Sequence, residues 1–186
     1  ALLKELEWQE ARYWTDYYKS AQNAPETQRQ VSLHYFGPAV ATMMPAVDIL
    51  AFNRVIGIGV DWPTHSDEID SITSIYQKNG VKRFFIQVSP AARPPDAPNL
   101  LTDAGFTYYN NWAKLVRPVY PPPDKIQRRN SELTIQRIGE GESGLFADII
   151  LESFEWPSEL HSIVANTVSR PGWIHYIAYA DNKPAG

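Results

Sequence analysis

The stretch from Ile49 to Ser89 limits the possible folds more than any other part of the sequence. Ile49–Val60 is almost continuously apolar, which predicts a buried β-strand. The segment Ser66–Asn79 follows with an apolar face at every third position, an acidic first turn and a closing glycine, which predicts an amphipathic helix. Its apolar face comprises Ile69, Ile72 and Ile75. Val81–Ser89 predicts another strand, so the order strand, helix, strand indicates an α/β chain.

The flanking segments extend this pattern. Leu2 to about Ser20 has aromatic and aliphatic residues at helical spacing, and Val31–Ala46 predicts strands interrupted at Gly37–Pro38. After a proline-rich loop, Asn99–Ala104 predicts a short helix and Phe106–Val116 a final strand. We therefore predict an α/β fold of the α+β type, with a mixed, mostly antiparallel sheet and flanking helices.

A proline-rich polar segment divides the chain. Residues 118–131 include three consecutive prolines and are typical of a linker, so we predict one domain at 1–117 and the opening portion of a second at 132–186. The second part predicts a strand, two helices joined by a turn, and the first strand of a hairpin ending near Ala180. Because a hairpin without its return strand leaves an unpaired edge, we expect this second sheet to be incomplete.

Composition excludes several classes of protein. The 186 residues are 44% hydrophobic and 20% charged, which argues against disorder and coiled coils. The net charge of −4 and the scattered basic residues argue against a nucleic-acid partner, and no apolar run is long enough for a membrane span. The absence of cysteine fits a reducing compartment. We therefore expect a cytoplasmic protein without nucleic-acid or membrane partners, and homo-oligomers stay open.

The segment Arg54–Gly59 has the spacing R/Q-x-x-G-x-G/A, which in acyltransferases lets backbone N–H groups cradle a pyrophosphate. That function requires a helix directly after the glycines, whereas six residues intervene here. The apolar neighbours therefore favour a prediction that Gly57 and Gly59 lie within a buried strand.

The histidines do not form a metal motif. None of the four shares the i, i+4 spacing of ligands on one helix face, so we predict no metal site. His65 precedes a helix and is interpreted as part of a cap more readily than as a base. His175 lies among aromatics of a predicted strand, where sheet packing is the simpler interpretation.

A turn between the two helices of the second part carries an acid between aromatics. Phe154, Glu155 and Trp156 are followed by a proline, and an exposed carboxylate beside aromatic rings suits a substrate slot for an amine. A plain turn with two core aromatics explains the same residues, and both interpretations stay open.

Two motifs in the second half of the first domain resemble GNAT-type N-acetyltransferases. Gln77–Val81 followed by Phe84–Val88, and Leu100–Phe106 followed by Trp112, are similar to the helix, strand, short helix and Gly-Phe pair that precede the closing strand in that family. Leu133–Gly186 resembles the opening of a second such domain. The chain as a whole therefore resembles a tandem GNAT protein.

This resemblance implies an acyl-CoA-dependent N-acetyltransferase that uses acetyl-CoA and an amine of a small molecule or peptide. It places the cofactor against Val60, Thr64, His65 and Ser66, and the acceptor against the turn at Phe154, Glu155 and Trp156; the catalytic residues are unknown. Two departures stand out. Leu101 occupies the position of a tyrosine proton donor, and Asp61–Ser66 lacks the glycines of a phosphate loop. The alternative is a non-catalytic ligand-binding or interaction domain on the same fold.

Overall fold

The structure is a computed structural model that describes residues 1–23, 27–28, 30–116 and 133–186. These residues form two compact units, Ala1–Asn110 (unit 1) and Asn111–Gly186 (unit 2). The predicted linker at 118–131 lies outside the described residues. Helices and a mixed sheet occur together in unit 1, so the chain has an α+β fold.

Unit 1 consists of a four-stranded sheet and three helices. In chain order these are α1 (Leu2–Gln22), β1 (Ser32–Phe36), β2 (Ala39–Met43), β3 (Arg54–Ile56), α2 (Ser66–Lys78), β4 (Phe85–Ile86) and α3 (Ala97–Asp103). The strands lie in the order β1-β2-β3-β4. The first three pair antiparallel, and β4 joins β3 in parallel after the crossover through α2. The predicted helices are thus confirmed, and the strands predicted within Val31–Ala46 are β1 and β2, which pair as a hairpin.

Helices cover both faces of this sheet. On one face Ala11 of α1 packs on Val40 and Ile56, with Trp8 and Trp14 partly buried around them. The opposite face carries a larger apolar cluster in which α2 contributes the side chains predicted from its spacing. This second cluster contains Ala41, Met43, Val55, Ile69, Ile72 and Tyr76, with Ile75 packed against its edge. Because both faces are covered, every residue of β2 is buried.

The central strand is shorter than predicted. Only Arg54–Ile56 of the apolar run is strand. The carboxamide of the buried Asn53 accepts a hydrogen bond from the N–H of Met44 and donates to the carbonyl of Val47, which holds the preceding residues in turns. The prediction that Gly57 and Gly59 lie within a strand is wrong: their φ angles are +89° and +74°, and such left-handed backbone cannot continue a strand.

Two other predicted strands change in extent. Val81–Ser89 forms a strand only at β4, and Phe106–Val116 forms none. Tyr108 and Leu115 are 77% and 92% exposed, so this segment lacks the half-buried surface that its strand-type residues usually cover.

Unit 2 contains a three-stranded antiparallel sheet and two helices. Its elements are β5 (Leu133–Arg137), a 3₁₀ turn (Glu140–Glu142), α4 (Ser143–Phe154), a 3₁₀ turn (Ser158–Leu160), α5 (His161–Ala165), β6 (Tyr176–Ala180) and β7 (Lys183–Pro184). The strand order is β5-β6-β7. Asp181 and Asn182 both have positive φ, as in a two-residue type I′ turn, so the predicted hairpin turn is confirmed. The expectation that its return strand is missing is wrong, because β7 pairs with β6. In the described part of the chain, no helix combines the length and apolarity that crossing a membrane demands.

Replacing Ile72 with alanine should destabilise unit 1 by about 2–5 kcal/mol, because its fully buried side chain leaves a cavity between α2 and the sheet. Ile75→Ala is the matched control on the same helix, and its partly buried side chain should cost less. Urea unfolding followed by circular dichroism measures both. Equal losses would contradict the assignment of Ile72 to the centre of this core.

Candidate functional site

A buried polar cluster joins α1 to the sheet of unit 1. The Arg54 guanidinium is 3.1 Å from the Glu10 carboxylate (Nη1 to Oε1) and 4.4 Å from the centre of the Trp14 ring. The amide nitrogen of Gln87 donates to Oε2 of Glu10 at 2.9 Å and to Oε2 of Glu7 at 3.2 Å. We call these five residues the Arg54 cluster.

Because the Arg54 cluster is buried, its charged residues depend on one another. Arg54 and Glu7 are each only 3% exposed. Burial lowers the pKa of the Arg54 guanidinium below its usual value, and the Glu10 carboxylate opposes this shift. Since a buried charge is tolerated only with partners, removal of Glu10 would leave an uncompensated cation under Trp14. The cluster therefore holds α1 against β3, and the Arg54 side chain is committed to this contact instead of to a phosphate.

The sequence analysis did not identify this cluster, because it considered only the aromatic and aliphatic residues of the first helix. A signal was available, because an arginine within the apolar run before Gly57 needs a buried anion. Glu7, Glu10 and Trp14 also have the spacing i, i+3, i+7 that puts side chains on one helix face.

Beyond the Arg54 cluster, the parallel strands β3 and β4 separate and are then joined again. The N–H of Gln87 donates to the carbonyl of Val55 at 3.0 Å, and the next hydrogen bond between the two chain segments is from the N–H of Arg93 to the carbonyl of Gly59 at 2.8 Å. We call the interval between these two bonds the strand gap. A Cβ on Gly59 would lie 2.8 Å from the carbonyl oxygen of Arg93, so the backbone at Arg93 closes the far end of the gap tightly.

The four residues predicted to bind a cofactor lie at this closed end and at the start of α2. Val60 and Thr64 are buried, and the N–H of Thr64 already donates to the carbonyl of Arg93 at 2.8 Å. His65 and Ser66 are exposed at the helix amino terminus, where no side chain caps the helix. The structure thus brings the four together, with two accessible to a ligand.

The charge at the amino terminus of α2 does not favour an anion. Asp67 and Glu68 lie in the first turn, and the Thr64 hydroxyl donates to Glu68 at 2.5 Å. These two carboxylates offset the positive end of the helix dipole and would repel the pyrophosphate that this end could otherwise bind. Leu101, at the position of the expected proton donor, is 8% exposed and belongs to the apolar cluster between α2 and the sheet.

In unit 2 the predicted acceptor turn presents two stacked rings. The Phe154 and Trp156 ring centres are 5.1 Å apart with planes 28° from parallel. Glu155 is the left-handed residue that ends α4, with φ +53°, and its side chain is exposed beside them. Phe154 is 60% exposed, so the pair offers an accessible aromatic surface, and the exposed Glu155 lies between the two aromatic residues in the sequence. This combination attracts an alkylammonium group.

His175 occupies a confined position in unit 2. Its ring is stacked on Trp173 and meets Phe146 edge-on, with centre distances of 5.8 Å and 4.7 Å. Nε2 is 3.1 Å from the Thr167 hydroxyl, which itself donates to the Val164 carbonyl, so Nε2 must carry the proton. Nδ1 is buried without a hydrogen-bond partner among the described residues, and burial lowers the pKa of the ring. The described residues hold no group of three or more side chains suited to a metal ion.

Comparisons of the chain with protein families, with curated proteins and with solved structures find no match. The class of protein must therefore be inferred from the element order of unit 1 and from the chemistry of these two sites.

Gly59→Ala should destabilise unit 1 more than Gly80→Ala, by about 1–3 kcal/mol, because the added methyl group meets the Arg93 backbone. Gly80 is a close control: its φ is +73° and a Cβ there meets nothing within 4 Å, so it reports the conformational cost alone. Chemical denaturation of both variants measures the difference. Identical losses would mean that the gap is open at Arg93.

Unit 2 should lose stability as the pH falls below 6.5. Because the folded pKa of His175 lies below its usual value of 6.5, the unfolded chain takes up the proton first, and unfolding becomes easier through this window. His175→Gln keeps a donor for Thr167 without titrating, so its melting temperature should fall less between pH 7.5 and 5. An NMR titration of His175 with a midpoint at or above 6.5 would contradict this expectation.

Proposed function

We propose that the protein is an acyl-CoA-dependent N-acetyltransferase that moves an acetyl group from acetyl-CoA to an amine of a small molecule or peptide. In this proposal unit 2 carries the acceptor surface, and unit 1 is a non-catalytic unit of the same acyltransferase type. A cytoplasmic location is part of the proposal and rests on the amino-acid composition alone.

The observation that carries the proposal is the strand order of unit 1. Three antiparallel strands are followed by a fourth that joins β3 in parallel through the α2 crossover, and the parallel pair spans two residues before the chains separate. An N-acyltransferase of the GNAT type needs such a notch in its sheet, because the amine attacks the thioester carbonyl there and backbone N–H groups stabilise the oxyanion.

Three features support a non-catalytic role for unit 1. The strand gap is closed by the hydrogen bonds of Arg93, the start of α2 carries carboxylates, and Leu101 offers no proton. The Arg93 backbone closes the far end of the space that a thioester and an amine would both have to enter. Even with cofactor bound, the loss of a proton donor removes about 10²–10⁴-fold in rate.

The aromatic pair of unit 2 supports an amine as acceptor. An alkylammonium ion can lie on the exposed face of Phe154 while the Glu155 carboxylate neutralises its charge. In the reaction the ammonium loses a proton, the free amine attacks the acetyl carbonyl, the C–S bond breaks, and the departing thiolate of CoA takes up a proton. Glu155 and the rings bind and orient the acceptor in this scheme.

The second candidate is a non-catalytic ligand-binding or interaction protein on the same fold. The closed strand gap favours it, because that feature removes the cofactor path in unit 1. Thermal unfolding with added CoA discriminates the two candidates, since a ligand held by the native state raises its midpoint.

The direct test measures acetyl-CoA binding and amine-dependent thiol release by the protein. Glu155→Gln and Phe154→Ala should raise the KM for the amine about 2–5-fold and leave kcat unchanged, as expected for an exposed ion pair or cation–π contact of 0.5–1 kcal/mol. Glu152→Gln, an exposed acid on the same helix, is the control and should change neither constant. Failure to consume acetyl-CoA with every amine tested would leave the second candidate.

Unit 1 should contribute little or no turnover of its own. The reason is that its gap is closed and Leu101 offers no proton. Isothermal titration with acetyl-CoA and a thiol-release assay measure binding and chemistry separately. Micromolar binding with robust turnover, and a KM for the amine that Glu155→Gln leaves unchanged, would show that unit 1 is itself the catalyst.

A further inference from the structure

A groove with a volume of about 370 Å³ lies between α1 and the β1–β2 hairpin of unit 1. Ala11 and Val40 form its apolar floor, and both are buried. Trp8 of α1 and Tyr35 of β1 provide aromatic walls, with Tyr35 57% exposed. This volume and lining fall in the range of small-molecule sites.

The groove follows one face of α1. Trp8, Arg12, Thr15 and Lys19 line it at helical spacing, so it extends over about three turns, or roughly 16 Å at 1.5 Å per residue. The site is therefore long enough for a two-ring molecule with a polar group at one end. It is separate from the strand gap, since none of the gap residues lines it.

The polar lining of the groove is more basic than acidic. Arg12 and Lys19 line it two helical turns apart, and a single acid, Asp16, lies between them in the sequence. Neither basic side chain makes a hydrogen bond or an ion pair with the described residues, so both can accept an anionic ligand. This excess of basic side chains differs from the chain as a whole, whose net charge is −4.

We propose that this groove binds a small aromatic anion, a flat ring system that bears a carboxylate or phosphate group. The ring lies between Trp8 and Tyr35 on the apolar floor, and the anionic group meets Arg12 and Lys19. Offset stacking between aromatic rings is favourable, and a guanidinium pairs with an oxyanion in a bidentate geometry. This site is independent of the proposed acetyl transfer, so either can fail without the other.

The test uses three probes with one ring system: 2-naphthoate, 2-naphthyl phosphate and 2-naphthylmethylammonium. Isothermal titration should detect the two anions and distinguish which oxyanion binds more tightly, while the ammonium probe should bind at least tenfold more weakly. The indole N–H of Trp8, assigned with Trp8→Phe, should shift in ¹⁵N-correlated NMR spectra when the anions are added.

The combined change Arg12→Gln and Lys19→Gln should weaken anion binding about tenfold or more, and Tyr35→Ala about threefold or more. Lys78→Gln, which removes a charge on the exposed end of α2, is the matched control and should leave affinity unchanged. All these side chains are exposed, so each variant should keep the melting temperature of the unsubstituted protein, and thermal unfolding shows whether it has folded.

Three results would overturn the proposal. They are equal binding of the ammonium probe, an equal loss of affinity in Lys78→Gln, and the absence of any heat or Trp8 shift at millimolar probe concentration. Acetyl-CoA turnover by the same preparations reports on the proposed function separately.

Discussion

The ion pair between Arg54 and Glu10 is the contact on which the architecture of unit 1 depends. Arg54 belongs to the central strand β3, where it is paired with Thr42 of β2 on one side and with Phe85 of β4 on the other. Its guanidinium lies under Trp14 and is almost excluded from water. A buried charge that loses its partner is strongly destabilising, so α1 has one acceptable position along the sheet. A purely apolar helix face would define that position less strictly.

Different interactions thus stabilise the two faces of the sheet. The α2 face is an apolar cluster, to which the buried Tyr76 adds a hydrogen bond from its hydroxyl to the Thr42 carbonyl at 2.9 Å. The α1 face combines apolar packing at Ala11, Tyr17, Tyr18 and Ala21 with the polar cluster around Arg54. Beside the β1–β2 hairpin, α1 leaves the groove that Tyr35 lines.

Local periodicity was sufficient to predict α2, because Ile69 and Ile72 report directly on the buried face of an isolated element. It failed for β3, whose length is decided by hydrogen bonds between the Asn53 side chain and residues earlier in the chain. It failed again at Gly59, where the approach of the Arg93 backbone sets the conformation.

The same distinction holds for the candidate site: the part built from adjacent residues could be predicted from the sequence, and the parts built from residues far apart in the chain could not. The turn at Phe154 and Trp156 was predictable because three adjacent residues form it. The Arg54 cluster and the closure of the strand gap unite residues far apart in sequence, and no spacing rule for a single helix or strand contains them.

The wide separation of the Arg54 cluster along the chain also affects how the protein is made. Glu10 is 44 residues from Arg54 and 77 from Gln87, and Glu7 is 80 from Gln87. At a synthesis rate of about 5–20 residues per second, the first helix leaves the ribosome several seconds before the last of its buried partners. During this interval its aromatic face has no sheet to cover it. The packing of α1 is therefore completed only after the central strand and β4 have been synthesised.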